Sequence, residues 1–325
     1  MGAPAAFGSL SLSPRVRESV LDRETRDGFA VTAARGRFAP SPTGRLHFGS
    51  LVAALGSWLF ARSAGASWIV RMEDLDRERE VAGAAAGILA ALDAFGLAGD
   101  EPVVAQSART PLYAAALARL ERDGHAYRCW CSRADLEPFG GIHPRACVAP
   151  ARDRSPAWRL HVGSARIGFD DRVQGAQHQD LAREVGDFVI WRADGACAYQ
   201  LAVVVDDAAQ GIGEVVRGAD LLDSTPRQIL LQRLLGLPLP TYAHLPLALG
   251  ADGRKLSKHE AALAVDARDP LPALRAALHF LGQPASTERN VHMLLSRASR
   301  EFDALRIPRT ATAPPAFAAA RNATS

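Results

Sequence analysis

The sequence predicts an α/β fold in which a Rossmann-like, doubly wound parallel sheet is interrupted by an insertion and followed by a short helical C-terminal region. Apolar runs of strand length alternate with segments of helical periodicity from about residue 36 to residue 124. The alternation breaks between residues 129 and 186, where short pieces containing arginine and glycine follow one another, and it then resumes. Strands that alternate with helices are typical of a parallel sheet, which binds ligands at the carboxyl ends of its strands.

The first half of the sheet is predicted from two strands and the helices between them. Residues 36–42 form a strand that ends in a Ser-Pro-Thr-Gly turn, and leucines at helical spacing continue to Gly65. Residues 67–72 form a second apolar strand that ends in a polar run, before a helix around Leu92. A further helix begins at Thr110, because threonine followed by proline suits the start of a helix.

The second half of the sheet follows the break. Residues 187–191 and 199–205 are predicted strands, since both are apolar runs of strand length. A helix is predicted over residues 224–236, where a glycine marks its end, and a short strand follows at 245–249. The last predicted helix covers residues 271–281.

These boundaries divide the chain into six segments. The last segment is rich in alanine, proline and threonine and is predicted to be partly disordered. The segments are an N-terminal extension (1–34), the first half of the catalytic domain (35–128), the insertion (129–186), the second half of the catalytic domain (187–250), a loop and helical region (251–285) and the C-terminal tail (286–325).

Composition narrows the class of protein. The chain has 325 residues, of which 48% are hydrophobic, so it can bury a substantial core. Its 38 lysines and arginines nearly balance 35 acidic residues, and the formal charge of +3 permits a nucleic-acid partner without requiring one. No apolar stretch approaches the roughly 20 residues of a membrane-spanning helix, and the N-terminal extension lacks the apolar centre of a secretory signal. We therefore expect a cytoplasmic protein with no membrane partner.

Two short motifs predict a nucleotide site. His47, Gly49 and Ser50 stand at the start of a predicted helix, where free backbone N–H groups and the helix dipole attract phosphate. Residues 255–258, the KLSK segment, lie in a polar stretch and can supply cations to a reacting phosphate. Alone, the first motif is equally compatible with a capped helix, and the second is more typical of a solvated run of charge than of a functional loop. Together they predict ATP binding by His47, Gly49, Ser50 and Lys258, with His47, Lys255 and Lys258 taking part in catalysis.

Longer motifs connect this pattern with a family. Residues 37–44 read RFAPSPTG, and residues 71–76 read RMEDLD. Residues 199–207 read YQLAVVVDD and residues 216–222 read VRGADLL, ahead of the KLSK segment. In order and spacing these motifs resemble the glutamyl-tRNA synthetase group of class I synthetases. The resemblance implies formation of glutamyl adenylate from L-glutamate and ATP, with Mg²⁺ bound to the nucleotide.

The resemblance also implies a glutamate site whose side chains complement the charges of the amino acid. A guanidinium group can bind a carboxylate through two hydrogen bonds, so Arg37 and Arg217 suit the two carboxylates of glutamate. Glu73 suits the ammonium group. Which arginine holds which carboxylate stays open at this point. The full implied set is Arg37, Ala39, Ser41, Glu73, Tyr199 and Arg217.

The molecule that accepts the glutamyl group is predicted from the end of the chain. Only a short stretch follows Lys258, and we expect no room in it for an anticodon-binding domain. In this respect the chain resembles truncated, synthetase-like enzymes that glutamylate the queuosine base in the anticodon loop of tRNA(Asp). We therefore expect a monomeric ligase whose substrates are L-glutamate, ATP and tRNA(Asp) bearing queuosine. Three alternatives stay open. They are charging of a tRNA 3′ end, nucleotidyl transfer to a small metabolite by an enzyme with an HxGH motif, and a non-enzymatic RNA-binding module stabilised by zinc.

Four side chains of the predicted insertion indicate a metal site. Cys129, Cys131 and Cys147 cluster around His143, and these ligand types suit tetrahedral Zn²⁺. Free thiols are the alternative, because the spacing differs from that of common zinc fingers. The resemblance implies a structural zinc at these cysteines, with a tyrosine in place of His143 in other members, so the fourth ligand stays open. Cys197 stands apart and is predicted to pack in the core.

Two acidic pairs are interpreted as structural. Asp206 and Asp207 end a predicted strand beside the site, and we expect them to order water or the ribose hydroxyls. Asp170 and Asp171 are predicted to form a turn.

Overall fold

The computed structural model describes residues 35–144, 146–249 and 265–309. The predicted N-terminal extension, the KLSK segment with Lys255 and Lys258, and residues 310–325 lie outside the described residues. Within the described ranges, no helix combines the length and the apolar content that a membrane crossing requires.

A seven-stranded sheet is the main element of the fold. Its strands are β1 (Arg35–Phe38), β2 (Trp68–Met72), β3 (Val104–Ala105), β6 (Arg166–Asp171), β7 (Gly175–Asp180), β9 (Ile212–Gly218) and β10 (Thr241–Leu245). Their spatial order is β3-β2-β1-β9-β10-β6-β7, and neighbours run parallel except in the β6–β7 hairpin. The chain order reverses between β1 and β9, so a ligand crevice is expected at the carboxyl ends of these two strands.

A second, three-stranded sheet is antiparallel. Its strands are β4 (Ala126–Cys129), β5 (Ala157–Leu160) and β8 (Val189–Trp191). The predicted insertion, residues 129–186, therefore contributes to both sheets, because β5 lies in the small sheet while β6 and β7 form one edge of the large sheet. The boundaries of the six segments remain a prediction.

The helices form two layers around the large sheet. The α-helices are α1 (Phe48–Ser63), α2 (Ala84–Ala94), α3 (Thr110–Arg122), α4 (Arg133–Leu136), α5 (Leu181–Glu184), α6 (Tyr199–Ala209), α7 (Thr225–Leu234), α8 (Pro270–Phe280) and α9 (Val291–Glu301); short 3-10 helices cover Gln106–Arg109, Glu137–Phe139, Ala219–Ser224 and Ala304–Arg306. Helices α1, α8 and α9 share one core cluster with Trp68 and Val70, whereas α3, α6 and α7 share another with Ile69. Because successive strand residues point to opposite faces, the two clusters cover both faces of the sheet. The prediction of a doubly wound α/β fold is confirmed.

The predicted strand at residues 199–205 is wrong, because these residues form the first part of α6. Residues 201–204 are all buried, and α6 packs against α3, α7 and the sheet. A short apolar run does not separate a buried helix from a buried strand by periodicity, and the consecutive valines favour a strand. Burial on several sides, which the sequence does not display, decides for the helix.

The predicted strand at residues 245–249 is displaced, because β10 ends at Leu245, where the predicted strand begins. His244 lies within β10 and is fully buried, so a polar residue interrupts the apolar pattern of the real strand. Pro246 follows the strand, and proline has no N–H to donate to a neighbouring strand.

The predicted turn at Asp170 and Asp171 is also corrected, since both residues belong to β6. The turn follows them: Asp171 Oδ1 accepts hydrogen bonds from the backbone N–H groups of Val173, at 3.0 Å, and Gln174, at 2.8 Å. An aspartate side chain that accepts from the backbone two and three residues later closes a tight turn. Asp171 therefore closes the turn with its side chain, while its own backbone belongs to β6.

The predicted tail contains an ordered element, α9, which the sequence pattern did not reveal. Its N-cap is Asn290, whose side chain accepts a hydrogen bond from the backbone of Met293 at 3.2 Å. Leu294 and Leu295 are buried against α1 and α8. The predicted partial disorder of the tail therefore does not include residues 291–301, and residues 310–325 lie outside the described residues.

Candidate active site

A cleft of about 330 Å³ opens at the carboxyl ends of β1 and β9, where the strand order reverses. The residues implied for glutamate and those predicted for the phosphates at the start of α1 all line this one cleft. They are Arg37, Ala39, Ser41, His47, Gly49, Ser50, Glu73, Tyr199 and Arg217. Lys255 and Lys258 lie outside the described residues, and the individual roles of all these residues remain predictions.

His47 is the N-cap of α1, so the capping and the phosphate-binding interpretations describe the same residue. Its Nδ1 lies 3.3 Å from the backbone nitrogen of Ser50 and its Nε2 lies 3.1 Å from Ser50 Oγ. Gly49 permits this arrangement, because a Cβ atom there would approach His47 Cε1 to 3.3 Å. The ring therefore borders the backbone N–H groups at the start of α1, where phosphate is expected to bind.

Arg37 is held at the base of the cleft by a buried carboxylate. Its Nε lies 3.3 Å from Asp207 Oδ1, its Nη2 lies 3.5 Å from Asp207 Oδ2, and its Nη1 donates to the carbonyl of Val216 at 3.1 Å. Arg37 is only 3% exposed. Burial favours the neutral form of Asp207, but the charges of Arg37 and Arg71 outweigh it and hold the pKa of Asp207 below its ordinary value.

Arg71 joins Asp207 to Glu73. Its Nη1 lies 2.8 Å from Asp207 Oδ1 and also 2.8 Å from Gln210 Oε1, while its Nη2 lies 3.3 Å from Glu73 Oε1. The pKa of Glu73 is raised by burial, which the charges of Arg71 and Arg37 offset only in part. A carboxylate in this position gains from a cationic partner in the cleft, and the ammonium group of an amino acid is such a partner.

Asp206 and Asp207 anchor side chains within the protein, and their predicted position at the end of a strand is wrong. Asp206 is fully buried and accepts hydrogen bonds from Gln106 at 2.8 Å, Arg109 at 2.5 Å and Tyr113 at 2.7 Å. Because residues 199–209 form a helix, both aspartates lie beneath the cleft rather than at the end of a strand. Both carboxylates hold protein side chains, and the ordering of water or ribose hydroxyls by them stays a prediction.

Arg217 lies on the opposite side of the cleft, at the end of β9, and is 6% exposed. Its Nη2 donates to Thr225 Oγ1 and Gln228 Oε1, each at 2.8 Å, and its Nε lies 3.1 Å from His244 Nε2. Its Nη1 lies 3.4 Å from the hydroxyl of Tyr199. Arg217 therefore presents one nitrogen to the cleft while the protein holds the other two.

Sequence reasoning assigned no role to Arg71 or His244. A signal for Arg71 exists, since it interrupts an otherwise apolar strand, and arginine is rarely buried unless it is paired. His244 gives no such signal, because a single histidine in an apolar run is usually a residue of the core. Its partners, Arg217 and Asp171, are 27 and 73 residues away in the chain.

The predicted metal ligands also come together, at a second place in the fold. One ligand atom from each of Cys129, Cys131, His143 and Cys147 lies within 4.8 Å of the others. Tetrahedral zinc requires its sulfur and nitrogen ligands to lie about 3.3 to 3.8 Å apart, which this arrangement fits with small adjustments. Cys197 is buried in the core, as predicted.

The surroundings of His143 favour a metal-binding tautomer. Its Nδ1 lies 2.5 Å from the carbonyl of Pro144, so this nitrogen carries the proton and donates it. Its Nε2 lies 3.3 Å from Cys129 Sγ and faces the thiols with a lone pair. Arg159 Nε donates a hydrogen bond to the same sulfur at 3.3 Å.

Comparison with known families gives the class of protein first. The family of class I tRNA synthetases (E and Q), catalytic domain, matches residues 33–155 and 149–297. The glutamate tRNA ligase of Elizabethkingia meningosepticum, solved in complex with its amino acid, superposes with a TM-score of 0.74 at 24% identity, covering 88% of this chain and 67% of that one. At this identity the superposition supports the fold alone. The fold and the sequence match define a class I synthetase catalytic domain.

More similar relatives narrow the family. A protein of Xanthomonas campestris pv. campestris named glutamyl-Q tRNA(Asp) synthetase is 59% identical over 282 residues, which cover 86% of this chain and 94% of the relative. A protein of Burkholderia cenocepacia with the same name is 55% identical, covering 80% of this chain and 92% of the relative. The chain belongs to the family of glutamyl-Q tRNA(Asp) synthetases, which confirms the resemblance stated from its motifs.

Proposed function

We propose that this protein activates L-glutamate with ATP and transfers the glutamyl group to the queuosine base in the anticodon loop of tRNA(Asp). The observation that supports the proposal most is the cleft itself. It brings the buried arginines Arg37 and Arg217, the carboxylate of Glu73 and a helix N-terminus into one space of about 330 Å³. Two cations and one anion complement the two carboxylates and the ammonium group of glutamate.

The reaction divides into two transfers. An oxygen of the glutamate α-carboxylate forms a bond to the α-phosphorus of ATP, and the bond to pyrophosphate breaks. A hydroxyl of the queuosine cyclopentene ring then forms an ester with the activated carbonyl, and AMP leaves with its bonding electrons while the hydroxyl proton is released. Because positioning and charge stabilisation drive phosphoryl chemistry of this kind, the site requires no covalent nucleophile.

The assignment of roles within the cleft follows the contacts. Arg217 offers Nη1 beside the Tyr199 hydroxyl, which suits the side-chain carboxylate of glutamate. Glu73 takes the ammonium group, and Arg37, with Ala39 and Ser41, lies near the α-carboxylate. His47, Gly49 and Ser50 bind phosphate at the start of α1, and Lys255 and Lys258 supply cations to the leaving pyrophosphate. Mg²⁺ bound to ATP neutralises phosphate charge during the transfer.

The cysteine cluster is assigned a structural zinc ion. Cys129, Cys131, His143 and Cys147 would hold it, and a site with four protein ligands leaves no open position for a substrate. A zinc ion here would join β4 to the loop that carries His143 and Cys147. We further propose that the protein acts as a monomer in the cytoplasm, where tRNA is used.

Activation of glutamate is tested by the exchange of labelled pyrophosphate into ATP. The expected result is exchange that depends on glutamate and does not require tRNA. Glu73→Gln removes the negative charge of the proposed ammonium ligand and should raise the KM for glutamate about tenfold or more. Glu80→Gln changes an exposed residue of the same loop and should leave exchange intact. Absence of glutamate-dependent exchange would refute the activation step.

The acceptor is tested with labelled glutamate and two forms of tRNA(Asp), one with queuosine and one with the unmodified base. The expected result is label on the anticodon fragment of the queuosine form after nuclease digestion, and none on the unmodified form. Label on the 3′-terminal adenosine would instead identify an ordinary glutamyl-tRNA synthetase. Transfer of AMP to a small metabolite, with no label on tRNA, would identify a nucleotidyltransferase.

A further inference from the structure

The orientation of Arg217 depends on an acceptor nitrogen from the neighbouring strand. Arg217 Nε always carries a proton, since a guanidinium group stays charged in proteins. It lies 3.1 Å from His244 Nε2, with both groups buried. The contact is a hydrogen bond only when Nε2 is unprotonated and accepts. Thr225 Oγ1 also lies 3.2 Å from Nε2, and since this oxygen accepts from Arg217 Nη2, its own proton can be donated to Nε2. Both contacts of Nε2 are satisfied by a neutral His244 ring with its proton on Nδ1.

Asp171 selects this tautomer. Its Oδ2 lies 2.6 Å from His244 Nδ1, and its Oδ1 lies 3.0 Å from the backbone nitrogen of His244. A carboxylate oxygen only accepts, so it places the proton on Nδ1 and leaves Nε2 free to accept from Arg217. Both side chains of the pair have no exposure to solvent.

The three residues form a line across three neighbouring strands to the cleft. Asp171 ends β6, His244 lies on β10 and Arg217 lies on β9, and these strands are neighbours in the large sheet. The register places His244 directly beside Arg217. With Nε held by His244 and Nη2 held by Thr225 and Gln228, the planar guanidinium has one orientation, which directs Nη1 to the cleft.

We propose that Asp171 and His244 are positioning residues, which fix Arg217 toward the side-chain carboxylate of the substrate by holding His244 in its Nδ1–H tautomer. The inference rests on the proposed function, because it takes Arg217 as a glutamate ligand. If the tautomer changed, Nε2–H would face Nε–H of Arg217, and two donors in contact repel. Arg217 would then turn away from its present plane, and the cleft would lose affinity for glutamate but not for ATP.

Asp171→Asn tests the proposal most directly. Asparagine keeps the Oδ1 acceptor for the backbone groups, but it replaces Oδ2 by an NH₂ donor that faces Nδ1 and forces the other tautomer. The expected result in pyrophosphate exchange is a KM for glutamate raised about tenfold or more, with the KM for ATP changed less than about twofold. Asp170→Asn is the matched control, since Asp170 is the exposed neighbour on the same strand, and it should leave both constants unchanged.

Two variants of His244 separate positioning from a merely structural role. His244→Gln places its terminal amide where Nε2 lies and can still accept from Arg217, whereas His244→Asn reaches only as far as Nδ1 and contacts Asp171 alone. Both remove the ring, but asparagine is one methylene shorter and leaves the larger cavity, so the KM for ATP is measured in both variants as a control for a general loss of packing. The glutamate KM should rise clearly less in His244→Gln than in His244→Asn. Equal values, or the reverse order, would overturn the proposal.

A spectroscopic measurement reads the tautomer itself. In protein with ¹⁵N-labelled histidine, the ring signals that vanish in His244→Gln belong to His244. They should show a proton on Nδ1 in the unaltered chain and on Nε2 in Asp171→Asn; an unchanged tautomer in that variant refutes the mechanism. If the unaltered chain shows exchange but Asp171→Asn raises both KM values alike, the positioning role fails while the proposed function stands. If the unaltered chain shows no glutamate-dependent exchange, the proposed function itself fails.

Discussion

The charged residues beneath the cleft and the cysteine cluster are both built from ionisable side chains, but they are assembled in opposite ways. Beneath the cleft, Arg37 and Asp207 lie 170 residues apart in the chain and meet only because the sheet brings β1 beside β9 and α6. The cluster takes its four ligands from residues 129–147, most of them in loops. The charged residues of the cleft are held by contacts within the fold, whereas the cysteine cluster is proposed to be held by a bound ion.

This difference shows which interactions stabilise each site. A buried carboxylate between two guanidinium groups is compensated by protein partners, and removal of one partner leaves uncompensated charge. Without an ion, the proximity of three cysteines and a histidine stabilises the fold little. A bound metal would supply the bonds that hold them together. The first site should fail by mutation of a single residue, and the second by removal of its ion.

Asp207→Asn should have the largest effect. It leaves Arg37 and Arg71 buried without their shared anion, and breaking a buried ion pair from one side costs about 3–5 kcal/mol of unfolding free energy. We expect a loss of that size in urea denaturation, together with loss of glutamate-dependent exchange. Asp93→Asn, an exposed change on α2, is the control and should alter neither quantity. A loss below about 1 kcal/mol would show that the fold does not depend on this carboxylate.

The pH dependence of the same variant tests the sign of the effect. The pKa of Asp207 is lowered in the folded state, because the two arginines outweigh the cost of burial. Its stabilisation is therefore present above its unfolded pKa of about 3.9 and is lost as the pH falls through the lower folded value. The stability difference between the unaltered chain and Asp207→Asn should be constant near pH 7 and narrow below about pH 4. A difference that widens toward acid would contradict the assignment.

Zinc content should change most clearly in Cys147→Ser. Cys147 is exposed, so the substitution disturbs packing little and acts through the metal. We expect zinc to fall from about one ion per chain to nearly none by atomic emission, with a lower melting temperature. Cys197→Ser, which changes the cysteine outside the cluster, should keep its zinc. Chelation should reproduce the drop in melting temperature in the unaltered chain; if it does not, the ion contributes nothing to the fold.

The same contrast explains what the sequence could predict. The cysteine cluster and the start of α1 are local, so their residues are recognisable within short windows of sequence. The partners of Arg37 and Arg217 are not, because Asp207 and His244 become their neighbours only once the strand order and register are known. The wrong prediction of a strand at residues 199–205, which form part of a helix, has the same cause. A short apolar run does not show that α3 and α7 bury it. The motifs identified the family despite these errors, because a motif is recognised by the order and spacing of its residues and not by their contacts.

Gly49→Ala should have a moderate effect, and it tests whether a local site within the cleft is as sensitive as the buried charges. A methyl group there would lie 3.3 Å from His47 Cε1 and 3.4 Å from His47 Nδ1, so the ring must shift by a few tenths of an ångström. We expect the KM for ATP to rise by about three- to tenfold and the KM for glutamate to stay nearly constant. Gly87→Ala, in the open middle of α2, is the control. Equal KM changes for both substrates would indicate that the two parts of the cleft are coupled.

His143→Tyr should have the smallest effect, and it tests whether the side chain at position 143 is the fourth ligand of the ion. A phenol oxygen can replace the imidazole nitrogen, but it must lose a proton to bind zinc well, whereas a neutral imidazole binds without that cost. We therefore expect the variant to keep about one zinc ion per chain at neutral pH, with faster loss to a chelator. His143→Phe has a similar ring but no ligand atom, and it should lose zinc in the same assay. If His143→Phe retains zinc as firmly as the unaltered chain, the three cysteines suffice, and His143 is only a neighbour of the ion.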